Sequence, residues 1–306
     1  MTHTIQITKT GQLMDTIQPG ILADIPALAR YLTFSIRPGT APDAALDRLT
    51  ELVDGESVVV GLGKPLLEVL DADIAGLVDF PACNEPGAEV PSTPQALWIW
   101  LRGDDRGELV HATRKFRDAL QDAFHLAQVI DAFRYGAGLD LTGYVDGTEN
   151  PVGEDAVAAG IVTGARPGLD GSSFVAVQQW VHDLDQFLSQ PQAARDNTIG
   201  RRQSDNEELV DAPESAHVKR TAQEDFEPEA FVVRRSMPWA DERSEGLVFV
   251  AFGHSVAAFD ALLRRMVGLD DGVVDALFSF TRPVTGSYFW CPPLRDGRLD
   301  LMALNS

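Results

Sequence analysis

Cysteine is almost absent from this chain. Only Cys83 and Cys291 occur among 306 residues, far apart and in no ligand-spaced cluster. That usage argues against a disulfide framework and carries no zinc signature. It fits a reducing setting, so a cytoplasmic protein is expected. Basic residues are scarce too. The 25 Lys and Arg stand against 46 Asp and Glu, a formal net charge of −21. Nucleic acids and anionic membranes attract the opposite balance, so neither is an expected partner. No apolar run reaches the roughly 18 residues that a membrane span needs. The opening segment, Met1 to Gln6, has no charged region, apolar region or twin arginine. No secretory leader is therefore expected.

Hydrophobic residues make up 44% of the chain, enough to build substantial cores. The length allows two domains of ordinary size. Apolar periodicity predicts strands at 30–36, 57–62 and 96–101, with Trp98 and Trp100 on one strand face. It predicts helices over 41–53 and 106–124 and a closing strand at 126–135. The order is β-α-β-β-α-β. The second half repeats it, with strands at 174–180, 230–237, 247–252 and 287–291 and helices over 182–189 and 255–266. Two such units in tandem predict an α+β fold of duplicated ferredoxin-like units, each with helices on one face of an antiparallel sheet. The expected domains are residues 1–150 and 151–306.

Three segments stand outside this pattern. Gly143-Tyr-Val-Asp-Gly-Thr-Glu-Asn-Pro151 lies in a Gly-rich linker over 136–172. Gly147 tolerates positive φ, and Asn150-Pro151 forces an extended or turn backbone. Asp146 is thus held on a tight loop, although a lone Asp-Gly pair is usually an ordinary turn. The second segment, about 190–229, is polar and far longer than the usual connection, yet it contains His217. Long loops of this kind are functional or disordered. His3, His111, His125, His182 and His254 complete the histidines, and residue type alone does not choose among the six. The third segment is Phe231-Val-Val-Arg-Arg-Ser-Met-Pro-Trp239. Strand alternation puts Arg234 and Ser236 on one face and Arg235 on the other. An arginine inside an apolar strand is costly unless it is paired, bound to a ligand or reaching solvent from an edge.

The nonapeptide resembles the Gly-x-x-Asp-Gly motif of the dye-decolourising peroxidases, which are haem enzymes. The likeness extends to Glu214–Arg220, which is similar to the proximal-histidine region of B-type members. It also takes in Val233–Pro238, similar to a Val-Arg-x-[Ser/Asn]-Met-Pro pattern, and Asn197–Arg202. It runs from Gln18–Ala23 to Phe280–Gly286 and the final strand.

The resemblance implies a haem b held in the C-terminal unit, with His217 as the iron ligand. It implies Asp146, Arg234 and Ser236 as catalytic residues. Arg201, with Arg202 as the alternative, would meet a haem propionate, and Gly147, Thr148 and Glu149 would lie against the cofactor. Asp275, Ser279 or another group would accept the His217 N–H. The implied reaction reduces hydrogen peroxide and oxidises phenols, dyes or other small aromatic donors through a ferryl porphyrin radical. A homo-oligomer, by default a dimer, is expected, because open sheet edges associate. A haem-handling or iron-releasing protein is the rival reading. It needs the axial ligand but has no use for a proton shuttle beside a distal cation. A ferredoxin-like oligomerisation module without haem would leave the His217 loop and the nonapeptide unexplained.

Overall fold

The structure, a computed structural model, describes residues 13–305. His3 and the opening segment lie outside the described residues. The first half contains β1 (Leu28–Ile36), α1 (Asp43–Leu52), β2 (Val58–Leu62), α2 (Lys64–Val69), the hairpin β3 (Cys83–Glu85) and β4 (Ala88–Val90), β5 (Leu97–Gly103), α3 (Arg106–Leu120) and β6 (Phe124–Phe133). The second half contains α4 (Gly153–Gly160), β7 (Ser173–His182), α5 (Leu184–Ser189), α6 (Gln192–Ile199), α7 (His217–Arg220), β8 (Val233–Arg234), β9 (Met237–Ala240), β10 (Glu245–Gly253), α8 (Ala257–Met266), β11 (Thr281–Pro283) and β12 (Ser287–Cys291).

Local sequence explains the regular parts. In α3, the Asp105 carboxylate accepts from the N–H groups of Gly107 and Glu108, which caps the helix, and Leu109, Phe116 and Leu120 form its buried stripe. In β5, every residue from Leu97 to Leu101 is buried, because alternate side chains face two different cores.

The fold is α+β with antiparallel pairing. Its strands run β7-β12-β2-β5-β1-β6-β9-β10 and return from β10 to β7, closing an eight-stranded barrel. β11 adds to the end of β7, and β8 adds to β10 beyond β9. The first half holds the order β2-β5-β1-β6 and the second half β12-β7-β10-β9. The halves meet at two seams, through Trp290 against Leu62 and Ala132 against Trp239. Tyr31, Val59, Trp98, Trp100, Val175, Val248 and Phe289 fill one core, drawn from strands of both halves, so it is the barrel interior. The alternate residues, with Leu49, Phe116, Leu120 and Leu263 from the helices, make the outer core.

Three readings of the sequence change. The two sheets are not separate layers but arcs of one ring. The strand expected over 230–237 is β8 and β9, interrupted at Arg235 and Ser236 although the register against β10 is unbroken. The expected linker and long loop are structured: α4 lies within 136–172, and α6 and α7 lie within 190–229. Among the described residues, no helix is long and apolar enough to cross a membrane.

Candidate active site

A cavity of about 320 Å³ lies against the face of β7 and β10 turned away from the barrel interior. Gln178, Trp180 and His182 of β7 and Leu247 and Phe249 of β10 form one wall, and Phe259, Leu262, Leu263 and Met266 of α8 form another. His217, Asp146, Arg234, Arg201, Thr148 and Glu149 all line it. Residues from the linker, the long connection and the broken strand therefore converge on one space.

His217 begins α7, and its Nδ1 lies 2.7 Å from Asp275 Oδ2. Asp275 is itself fixed: its N–H donates to the Met266 carbonyl at 2.8 Å, and its Oδ1 accepts from Leu277 N–H at 2.9 Å. A carboxylate only accepts here, so Nδ1 donates to it, and in the neutral ring this leaves Nε2 with its lone pair. Asp275 thus takes the role that the sequence left open. Ser279 does not, since its hydroxyl donates to the Ala276 carbonyl. α7 is anchored by Arg220, whose two terminal nitrogens each sit 2.7 Å from an Asp271 oxygen. The fork ties a single helical turn to the segment after α8, and Arg220 also donates to the Arg265 carbonyl at the end of that helix.

Asp146 Oδ1 and Arg234 Nη1 are 3.6 Å apart. What holds them together is Asn150. Its Nδ2 donates to the Arg234 carbonyl at 2.9 Å, and its Oδ1 accepts from the Arg234 N–H at 2.8 Å. The side-chain amide thereby pairs with Arg234 as a neighbouring strand would. Gln223 repeats the device one step away, donating to the Glu149 carbonyl at 3.0 Å and accepting from Val232 N–H at 2.9 Å. Gly147 has φ 78°, the left-handed backbone that turns the chain between Asp146 and Asn150.

The remaining residues divide by position. Arg201 faces the cavity and pairs with Glu149 at 2.5 Å and Glu208 at 3.7 Å. Arg202 points to solvent and pairs with Asp205 and Glu207. Arg235 turns from the cavity to the carbonyls of Ile21 and Leu22. Ser236 is buried on the Arg234 face of the strand, outside the cavity wall, where its hydroxyl accepts weakly from Val250 N–H at 3.4 Å. Gly147 also lies behind the wall. His111, His125 and His254 are exposed.

Sequence reasoning missed His182, which lines the cavity beside Asp140. Its Nε2 is 3.1 Å from Asp140 Oδ1, and its Nδ1 is 2.6 Å from Thr281 Oγ1. No spacing signals this group, because its members come from three distant segments. Burial alone would raise the Asp140 carboxyl, but hydrogen bonds from His182 and Thr142 outweigh it and hold its pKa below the ordinary value. The Asn150 clamp was equally hidden, since Asn-Pro reads only as a turn.

The donor set suits a flat, iron-bearing ring. One imidazole nitrogen would bind iron while its other nitrogen is backed by a carboxylate. α8 and Phe249 supply apolar walls, and Arg201 and Lys219 put cations at the margin. Buried Arg234 Nε, Gln178 Nε2 and Trp180 Nε1 have no hydrogen-bond partner among the described residues, which marks the cavity as a place where something polar is met. A histidine backed by a carboxylate and a carboxylate–guanidinium pair thus share one cavity, the set of groups that haem chemistry with peroxide calls for.

Comparison with known proteins agrees. Residues 137–296 match the family model for the C-terminal part of Dyp-type peroxidases. A dye-decolorizing peroxidase of Mycolicibacterium paratuberculosis is 27% identical over 90% of this chain and 84% of its own. A solved dye-decolorizing protein from V. cholerae is 30% identical, with TM-score 0.82 over 94% of this chain and 98% of its own. A Rhodococcus jostii RHA1 DypB variant in complex with heme is 25% identical, with TM-score 0.79 over 89% of this chain and 94% of its own. The chain belongs to the dye-decolourising peroxidase family.

Two predictions follow from this geometry. Asn150→Ala, which removes no cavity-lining group, should slow the reaction with peroxide at least tenfold by freeing the Asp146 loop from Arg234. It should also cost about 1–3 kcal/mol of stability for the hydrogen-bonding groups left unpaired. Stopped-flow kinetics and denaturant melts measure the two effects. Because the Asp140 pKa is depressed in the folded state, its contribution is complete above the unfolded carboxyl value, about 3.9, and is lost as pH falls through the folded pKa. Asp140→Asn should therefore flatten the acid limb of the stability–pH curve.

Proposed function

We propose that His217, Asp146 and Arg234 divide the work of a haem peroxidase, His217 as the residue that would hold the iron and the other two as the groups that would act on peroxide. The observation that carries this is the 3.6 Å Asp146–Arg234 pair on the wall of the cavity that also receives the free face of His217. The chain is a haem-dependent peroxidase, and bound haem supplies the iron at which hydrogen peroxide is reduced. Over a full cycle, one peroxide and two phenolic donors give two waters and two phenoxyl radicals.

His217 would hold the iron through Nε2, and the hydrogen bond from its Nδ1 to the Asp275 carboxylate would make that nitrogen more electron-rich. Asp146, directly or through a water it orients, would move a proton from one peroxide oxygen to the other. Arg234 stabilises the departing hydroxide with a fixed positive charge. Arg201 meets a propionate in exchange for part of its pairing with Glu149, while Thr148 and Glu149 border the ring. Gly147 and Ser236 act from behind the wall, one by shaping the loop and the other by supporting the strand that carries Arg234. A haem carrier would need the His217 side alone, so the paired acid and guanidinium favour catalysis over haem handling.

Several finer readings belong to this proposal. The matching orders β2-β5-β1-β6 and β12-β7-β10-β9 support a duplicated ferredoxin-like fold, with haem in the second unit. The narrow seams between the halves support domains at 1–150 and 151–306, with the Asp146 loop at their boundary. The electron donors are small phenols and dyes. The unpaired thiols of Cys83 and Cys291 support a cytoplasmic location. A homodimer is still our reading, but a closed barrel has no open edge to associate through, so helical faces would have to form it.

Arg234→Ala should slow the peroxide-induced change in the haem spectrum by roughly 10²–10⁴, and Asp146→Ala should slow it less. An unchanged rate in Arg234→Ala would remove that residue from the mechanism. Asp275→Asn should lower the iron–histidine stretching frequency in resonance Raman spectra. An unshifted band would mean that Asp275 does not act on His217.

A further inference from the structure

The cavity holds a second histidine to which the chemistry above gives no part. His182 ends β7, and its side chain is 6% exposed. Its Nε2 meets the Asp140 carboxylate at 3.1 Å, and its Nδ1 meets the hydroxyl of Thr281, its partner residue on β11, at 2.6 Å. Both ring nitrogens are engaged, so His182 is no rival to His217 for iron. Phe280 packs on the ring, and Asp140 is the one charged group paired with it among the described residues. A desolvated pair of this kind is poor evidence of a gain in stability, which points to a task in orientation.

Thr281 makes the contact durable. Its hydroxyl has two acceptors in reach, His182 Nδ1 and the Val181 carbonyl, the latter at 3.0 Å. Beside a charged imidazole, the hydroxyl accepts from Nδ1–H and donates to Val181. Beside a neutral one, it turns and donates to Nδ1. In both forms Nε2–H points at Asp140, so the contact survives either protonation state. Asp140 is held from its own side as well, because its Oδ2 accepts from the N–H and the hydroxyl of Thr142 at 2.9 and 2.6 Å.

What the contact fixes is the loop that carries Asp146. Residues 138–146 fold back on themselves. Leu139 pairs with Val145, Asp140 N–H donates to the Tyr144 carbonyl at 2.9 Å, and Gly143 N–H donates to the Asp140 carbonyl at 2.8 Å. Asp146 N–H closes the fold by donating to the Gly138 carbonyl at 2.9 Å. Asp140 and Asp146 therefore move together. Asn150 ties the far end of this loop to β8, and His182 ties the near end to β7. Those strands flank β10 in one sheet, so the acid and the guanidinium share a frame. Tyr144 adds a tie to Asp196 at 2.5 Å, but that residue lies on α6, which is no part of the barrel. We infer that His182 is a positioning residue for the reaction with peroxide, acting by holding Asp140, and through it Asp146, against β7. This rests on the peroxidase reading proposed above.

The test is a double-mutant cycle in the haem-loaded protein. His182→Ala should slow the reaction with peroxide roughly tenfold, the effect of a small displacement of a reacting group. In an Asp146→Ala background the same substitution should change the rate less than about twofold, because nothing remains for it to position. His182→Gln, whose amide places a donor where Nε2 stood, should recover most of the rate. A second readout needs no peroxide. In the resting full-length protein, amide hydrogen exchange at Gly143 and Asp146 should quicken roughly tenfold in His182→Ala, while the Arg234 amide, held by Asn150, keeps its protection. Asp140→Ala breaks the contact from the loop side and should give the same pattern if His182→Ala does not fold. Losses that add in the double variant, or unchanged exchange at Asp146, would overturn the inference. A parent protein inert to peroxide would instead sink the peroxidase reading, and the exchange rates would still decide whether His182 holds the loop.

Discussion

The pairing of the Asn150 side-chain amide with the Arg234 backbone is the constraint on which the site depends. An arginine on a short strand and an acid on a glycine-bounded loop have no reason of their own to meet. Each side chain has many rotamers, and a partly exposed ion pair 3.6 Å apart is too weak to impose one arrangement. The amide solves the problem through the backbone. It satisfies the N–H and carbonyl of Arg234 together, so the loop docks in a single register. Gln223 does the same for Val232 and Glu149. Two uncharged side chains thus position the charged ones.

The opposite wall is built on the same economy. His217 sits on a single turn of helix, which would not be stable alone. Arg220 fastens that turn to Asp271, and Asp275 orients the imidazole while its own backbone is tied to Met266. The orientation of the imidazole is therefore set by α8 and the segment after it, not by the loop that carries the histidine. The barrel supplies the rigid frame between the walls. Because β7 and β10 are lined on both faces, alternate side chains serve the cavity and the barrel interior from one pair of strands. Both depend on one unbroken register.

Much of this was legible in the chain. Period-two patterning located most strands, and the placement of Trp98 and Trp100 on one face held, because both fill the barrel interior. Asp146, Arg234 and His217 were singled out by the family resemblance, on segments that local pattern left ambiguous, and the structure brings all three to one cavity. What stayed hidden shares a physical cause: it rests on contacts between distant segments. Barrel closure needs Trp290 beside Leu62 and Ala132 beside Trp239. The Asp275 partner of His217 and the Asp140 partner of His182 are 58 and 42 residues away along the chain. Local patterning carries no information about such pairs. The break in the strand over 230–237 was hidden for another reason, since the register against β10 is the same on both sides of Arg235 and Ser236.

The most direct test mixes the haem-loaded, unmodified protein with one equivalent of hydrogen peroxide and follows the Soret band by stopped flow, with a phenol added afterwards. The account predicts a rapid loss of Soret intensity and its recovery when the phenol arrives. A Soret band that ignores peroxide would contradict the account, because a cavity holding haem between His217 and a working Asp146–Arg234 pair could not remain inert.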